Sequence, residues 1–144
     1  MNAALALVLA VLMLRPDQIE WLKEDWTRPV EHVLGVNHWD GQSRVIRSLQ
    51  KHRRVAVPAG HKVGKTHLVG SLINSVLPIY PNTRVITSAS TGDQLVENVW
   101  GEIRRQNKGA RMPLGGRMLP TAPLWHFDDK WYCKGISTNE VESF

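Results

Sequence analysis

The sequence predicts an α/β fold, a parallel sheet flanked by helices, and three observations point to it. Two short β-branched runs, Val55-Ala56-Val57 and Arg84-Val85-Ile86-Thr87, each precede a segment of helical periodicity. Between the first run and its helix lies the glycine-containing loop Ala59-Gly60-His61-Lys62-Val63-Gly64-Lys65-Thr66. Arg54 to Gln106 therefore reads strand, loop, helix, strand, helix, a βαβα unit that implies parallel strands joined by a right-handed crossover.

Taken in chain order, Met1 to Leu14 is almost wholly apolar. It lacks a charged start and an Ala-x-Ala cleavage site, and is shorter than the roughly 20 residues a membrane span needs. Residues 1–16 are therefore expected to be an apolar N-terminal helix or extension, and no membrane association is expected. Residues 17–52 form a helical N-terminal segment. Ile19, Trp21, Leu22, Trp26, Val30 and Leu34 recur at loose helical spacing, with Pro29 as a break. From Gln42 to Gln50, Val45, Ile46 and Leu49 share one face and Arg44, Arg47 and Lys51 the other. Residues 53–144 then hold the βαβα core. The helix after the loop presents Leu68, Val69, Leu72, Ile73, Val76 and Leu77 as one stripe, and Pro78 and Pro81 stop it. Thr91 stands three residues before Gln94, a capping box opening a helix that buries Leu95, Val96, Val99, Trp100 and Ile103. Asn107 to Thr121, rich in Gly, Pro, Arg and Met, reads as a surface loop. Leu124 to Phe127 and Trp131 to Ile136 flank Asp128-Asp129-Lys130 as a hairpin.

The 144 residues suit one domain with its own core, and 42% hydrophobic content is ordinary for a globular chain. The formal net charge of +5 favours phosphate-bearing partners such as nucleotide or nucleic acid. The single cysteine, Cys133, excludes an internal disulfide and a cysteine zinc site, and fits a reducing compartment. His32, His38, His52, His61, His67 and His126 show no metal-ligand spacing.

The loop Ala59 to Thr66 fits the phosphate-binding pattern, with alanine in the position that is often glycine. A triphosphate tail is a dense anion, so the chain must wrap it with inward-pointing backbone N–H groups, which needs small residues. Gly64 removes bulk where backbone meets phosphate. Lys65 supplies a cation to the β- and γ-phosphates, and the Thr66 hydroxyl is a ligand for Mg²⁺. The helix starting beyond Gly64 aims its positive dipole end at the same place. Lys62 is a second cation within the loop and a candidate for stabilising transferred charge, although arginine is the commoner choice there. The expected ligands are ATP and Mg²⁺, and the expected fold is that of a P-loop NTPase.

Several stretches together resemble the N-terminal part of the ATPase domain of phage terminase large subunits, the DNA-packaging motors of tailed phages. They are Trp39-Asp40-Gly41-Gln42 with Val45-Ile46, the run Val55 to Thr66, Val85 to Gln94, Val99 to Ile103, Gly135-Ile136-Ser137 and Glu140 to Phe144. The resemblance implies an ATPase that translocates and packages viral double-stranded DNA in the host cytoplasm. It also implies a small terminase subunit and a portal as partners, and a homo-oligomer in the full-length protein. It gives Gln42 the role of recognising adenine, and gives Thr87 to Gln94 that of linking the nucleotide site to DNA. The family's Asp-Glu pair at a strand end, which holds Mg²⁺ and activates water, has no match, and neither does its nuclease domain. An incomplete core, from a fragment or a split or truncated gene, is therefore expected, without turnover of its own. Arg104, Arg105, Lys108, Arg111 and Arg117 are candidates for a DNA path. A helicase-type P-loop ATPase and a non-catalytic nucleotide-binding module remain the alternatives.

Overall fold

The structure, a computed structural model, describes residues 13–137. The expectations for the apolar run before residue 13 and for Glu140 to Phe144 lie outside them.

Helix α1 spans Pro16–Glu24 and begins on its proline, where the missing N–H costs nothing. The chain turns at Asp25, whose carboxylate accepts from the Thr27 amide at 2.9 Å and from the Thr27 hydroxyl at 2.7 Å. A helical turn, Thr27–Pro29, runs without interruption into a wider π-type turn, Val30–Leu34. Pro29 is thus not a break. It lies in the first turn, where its N–H would have no acceptor anyway, and the stop comes at Gly35 in the left-handed conformation. Helix α2 is Asp40–Lys51 and α3 is Lys65–Val76, followed by a 3₁₀ turn, Leu77–Ile79, that holds Pro78.

Strand β1 is Arg84–Ala89. A π-type turn, Gln94–Val99, leads into α4, Trp100–Gly109. Only half of the expected capping box forms. Thr91 Oγ1 accepts from the Gln94 amide at 3.2 Å, while Gln94 Oε1 accepts from the Ser90 hydroxyl at 2.6 Å. The short β2, Arg117–Met118, lies within the predicted loop, and β3, Leu124–Asp128, and β4, Trp131–Ser137, form the predicted hairpin.

The four strands make one mixed sheet in the order β1-β4-β3-β2. β1 and β4 run parallel, in register from Arg84 against Tyr132 to Ala89 against Ser137. β3 is antiparallel to both β4 and β2. The all-parallel expectation is therefore corrected, because hairpin geometry forces β3 and β4 to be antiparallel. The expected strand at Arg54 to Pro58 is corrected as well. Among the described residues that segment joins no ladder, the sheet ending at β1, and Val57 is 42% exposed.

Alternation along the strands sends one sheet face into the core. Trp131, Cys133 and Trp125 are fully buried with Leu95, Trp100, Ile103, Leu77, Ile79 and Ile19. The other face shows Ile86, 54% exposed. Indole N–H groups tie the layers together, with Trp100 donating to Thr87 Oγ1 at 3.0 Å and Trp131 to the Leu77 carbonyl at 2.9 Å. Burial pushes the Cys133 thiol up to about 12, which keeps it protonated. Among the described residues no helix is long and apolar enough to cross a membrane.

Candidate functional site

The predicted loop leads directly into α3. Gly64 is the residue before the helix and sits in the left-handed region, φ +87°. A side chain there would be strained, and its Cβ would fall 2.7 Å from Gln42 Nε2. Lys62 also takes a positive φ, +60°. These turns leave Lys65 and Thr66 as the first two residues of α3, where backbone N–H groups have no intrahelical acceptor. Both side chains are exposed. Lys65 folds back across the loop, its ammonium donating to the Ala59 carbonyl at 2.8 Å and the Gly60 carbonyl at 3.0 Å.

Two recesses meet at this loop and share Gly64 and Lys65. One, of about 410 Å³, is lined by His61, Lys62, Gly64, Lys65, Thr66 and His67. Its charged side chains are lysines, and among the described residues no carboxylate lines it. The other, of about 300 Å³, is lined by Trp39, Gly41, Gln42 and Val45 from the start of α2, by Val57 to Gly60, and by Val63 and Leu68. Its wall is mostly apolar. The site residues predicted from sequence, Ala59 to Thr66 and Gln42, thus line these two recesses.

Gln42 is 8% exposed, with Nε2 donating to the Gly64 carbonyl at 3.2 Å. It braces the loop from beneath. Sequence reasoning gave no role to Trp39, 60% exposed on the rim of the apolar recess, or to His67 on the floor of the cationic one. An aromatic three residues before the glutamine was the available signal for Trp39. His67 looked like any other helical histidine.

Behind α3, His38 Nε2 and Ser71 Oγ lie 2.9 Å apart, and Ser71 donates to the His67 carbonyl at 2.7 Å. Burial, and next the neighbouring His67, push His38 down to about 4, so its ring is neutral at neutral pH. From α4, Gln106 Nε2 donates to the same His67 carbonyl at 2.9 Å and to Glu102 at 2.7 Å. Asn74 Nδ2 donates to the Ile103 carbonyl at 2.9 Å. The loop's helix is therefore held from two sides by buried and half-buried polar contacts.

The residues fit the phosphates of a nucleotide, because the donors are cations and helix-start amides around a glycine. For a divalent ion they offer the Thr66 hydroxyl. Among the described residues no three His, Cys, Asp or Glu side chains cluster to hold a metal. Asp128 ends β3, paired with Trp131, and Asp129 lies in the hairpin turn with its side chain fully exposed. Of the candidate DNA-path residues, Arg104 is engaged with the Leu119 and Ala122 carbonyls at 3.2 and 2.9 Å, and Arg105 with Glu102. Lys108, Arg111 and Arg117 are exposed. Compared with protein-family models, with curated proteins and with solved structures, the chain matches none.

Proposed function

We propose that this chain is the ATP-binding part of a P-loop ATPase motor of the phage terminase large-subunit type. One observation carries the nucleotide reading: a left-handed Gly64 delivers Lys65 and Thr66 to the first turn of α3, beside a recess whose charged lining is cationic. On this reading Lys65 exchanges its bonds to the Ala59 and Gly60 carbonyls for phosphate oxygens. The amides from Lys62 to Thr66 wrap the anion, and Lys62 adds charge from the loop. The Thr66 hydroxyl would help to hold Mg²⁺, which would supply neutralisation of the phosphate charge. The wider role, translocation of double-stranded DNA with a small terminase subunit and a portal in a homo-oligomer within the host cytoplasm, rests on the sequence resemblance.

A second reading, a non-catalytic nucleotide-binding module, is favoured by one observation. Among the described residues no carboxylate lines the recess to activate a water.

Calorimetric titration of Mg·ATP into the purified chain at high protein concentration tests the first reading. Binding is expected, weakened by about tenfold to a hundredfold in Lys65→Ala, the worth of a charge-assisted hydrogen bond. Absence of binding, or equal binding by the variant, overturns it. Phosphate release well above background by the isolated chain would reject the non-catalytic module.

A further inference from the structure

We infer that the outer side of α2 and the residues just after it form a contact surface for the phosphate backbone of double-stranded DNA, made by Arg44, Lys51, Arg53 and Arg54 and blind to base sequence. The inference rests on the reading above for the kind of polyanion, and it places the contact away from the Arg104 to Arg117 group.

Charge is uneven along the chain. Between Asp40 and Asp93 lie eight Lys and Arg residues and no Asp or Glu, so this stretch is more positive than the whole chain, whose formal net charge is +5. The fold divides these cations. Lys62 and Lys65 line the phosphate recess, whereas Arg44, Lys51, Arg53 and Arg54 line neither recess at the loop. Helical period sets Arg44, Arg47 and Lys51 on one side of α2, opposite the buried Gln42 and Ile46. Gln42 holds the start of α2 against Gly64, so Lys51 lies about 13 Å further along the helix axis.

Arg47 is held by Asp25 at 3.3 Å. The other four are exposed, and among the described residues none of them forms an ion pair. Like charges this close in sequence repel, and only Lys51 gains from the negative end of the helix dipole. A polyanion offsets the repulsion and releases its own counterions on binding. No Phe, Tyr or Trp lies between Arg44 and Arg54, so bases find nothing to stack on and the contact is to phosphates. By contrast Arg104 is engaged with the Leu119 and Ala122 carbonyls and Arg105 with Glu102.

The test follows fluorescence anisotropy of labelled DNA duplexes of about 20 base pairs, in two unrelated sequences, titrated with the full chain across a salt series. Both duplexes are expected to bind alike, with log affinity falling against log salt at a slope of about −3 to −4 for four phosphate contacts. Lys51→Gln, Arg53→Gln and Arg54→Gln together should reduce that slope by about 3 and weaken binding at least about tenfold. Arg53→Lys with Arg54→Lys should bind as the parent chain does, and so should Lys108→Gln with Arg117→Gln. An unchanged slope in the triple Gln variant, or an equal loss in the Lys108 and Arg117 variant, overturns the inference. So does a preference above about tenfold between the two duplexes, the mark of base reading. Binding to phosphatidylserine vesicles that needs these cations, by a chain that leaves duplex DNA unbound, overturns it too. Mg·ATP titration separates this inference from the nucleotide reading, since the triple Gln variant should bind Mg·ATP as the parent does. Duplex binding without Mg·ATP binding rejects the nucleotide reading and leaves the DNA surface standing, and Mg·ATP binding without duplex binding does the reverse. Circular dichroism of each variant separates a lost contact from a lost fold.

Discussion

Gly64 concentrates more constraint than any other loop residue. It is left-handed, it precedes the first turn of α3, and its α-carbon faces the Gln42 carboxamide. Gly64→Ala should destabilise the chain by about 1–2 kcal/mol from the backbone alone. It should also abolish tripolyphosphate binding, and a thermal melt with a titration reads both effects. His38 gives the chain an acid-sensitive point. Its folded-state pKa, about 4, lies below the ordinary 6.5, so the unfolded chain binds the proton first as pH falls. The stability it contributes is complete above about pH 6.5 and is lost as pH falls from there through about 4. Melting temperature should therefore drop across that window, and His38→Gln, which keeps a donor for Ser71, should flatten the drop.

At the scale of elements, α3 buries Leu68, Ile73 and Leu77 of the expected apolar stripe, and polar groups hold it as well. Ser71, Asn74 and Ser75 are fully buried, while Val69 is 39% exposed. The reason is the close approach of α4. A Cβ at Gly70 would meet Gln106 Nε2 at 2.9 Å and Glu102 Cγ at 3.1 Å, so only small residues fit along that seam. Asn74 spans it, donating to the Gly70 and Ile103 carbonyls and accepting from Asn107. Asn74→Leu removes these bonds and adds bulk to a packed seam. A loss of about 2–4 kcal/mol is expected from urea denaturation. Trp100→Phe cuts the tie between α4 and β1 and should cost about 1–3 kcal/mol, read the same way.

For the whole molecule, the notable asymmetry is that the sheet of the described residues ends at β1 while Val55 to Val57 join no ladder. Val55-Ala56-Val57 has strand composition, but a strand exists only by pairing, and no partner is present for it among the described residues. Amides from Val55 to Ala59 should exchange with solvent far faster than those of β4, which is paired on both sides, and hydrogen–deuterium exchange with mass spectrometry measures the difference. Equal protection in the two segments would show that the segment is strand after all.

Local chemistry made much of this readable from sequence. The turn at Asp129-Lys130, the β-branched run of β1 and the helices from Asp40 and Lys65 depend on neighbours a few residues away, and each formed where that chemistry called for it. Long-range placement decided the rest. Whether β4 would lie parallel to β1, whether Val55 to Val57 would find a partner, which face of α3 would meet Gly70's neighbours, and whether Gln42 would face a ligand or brace Gly64 all depend on residues 20 to 50 positions apart meeting in space. Side-chain period gives a residue's face on its own element, but what that face meets is set by packing of the whole chain.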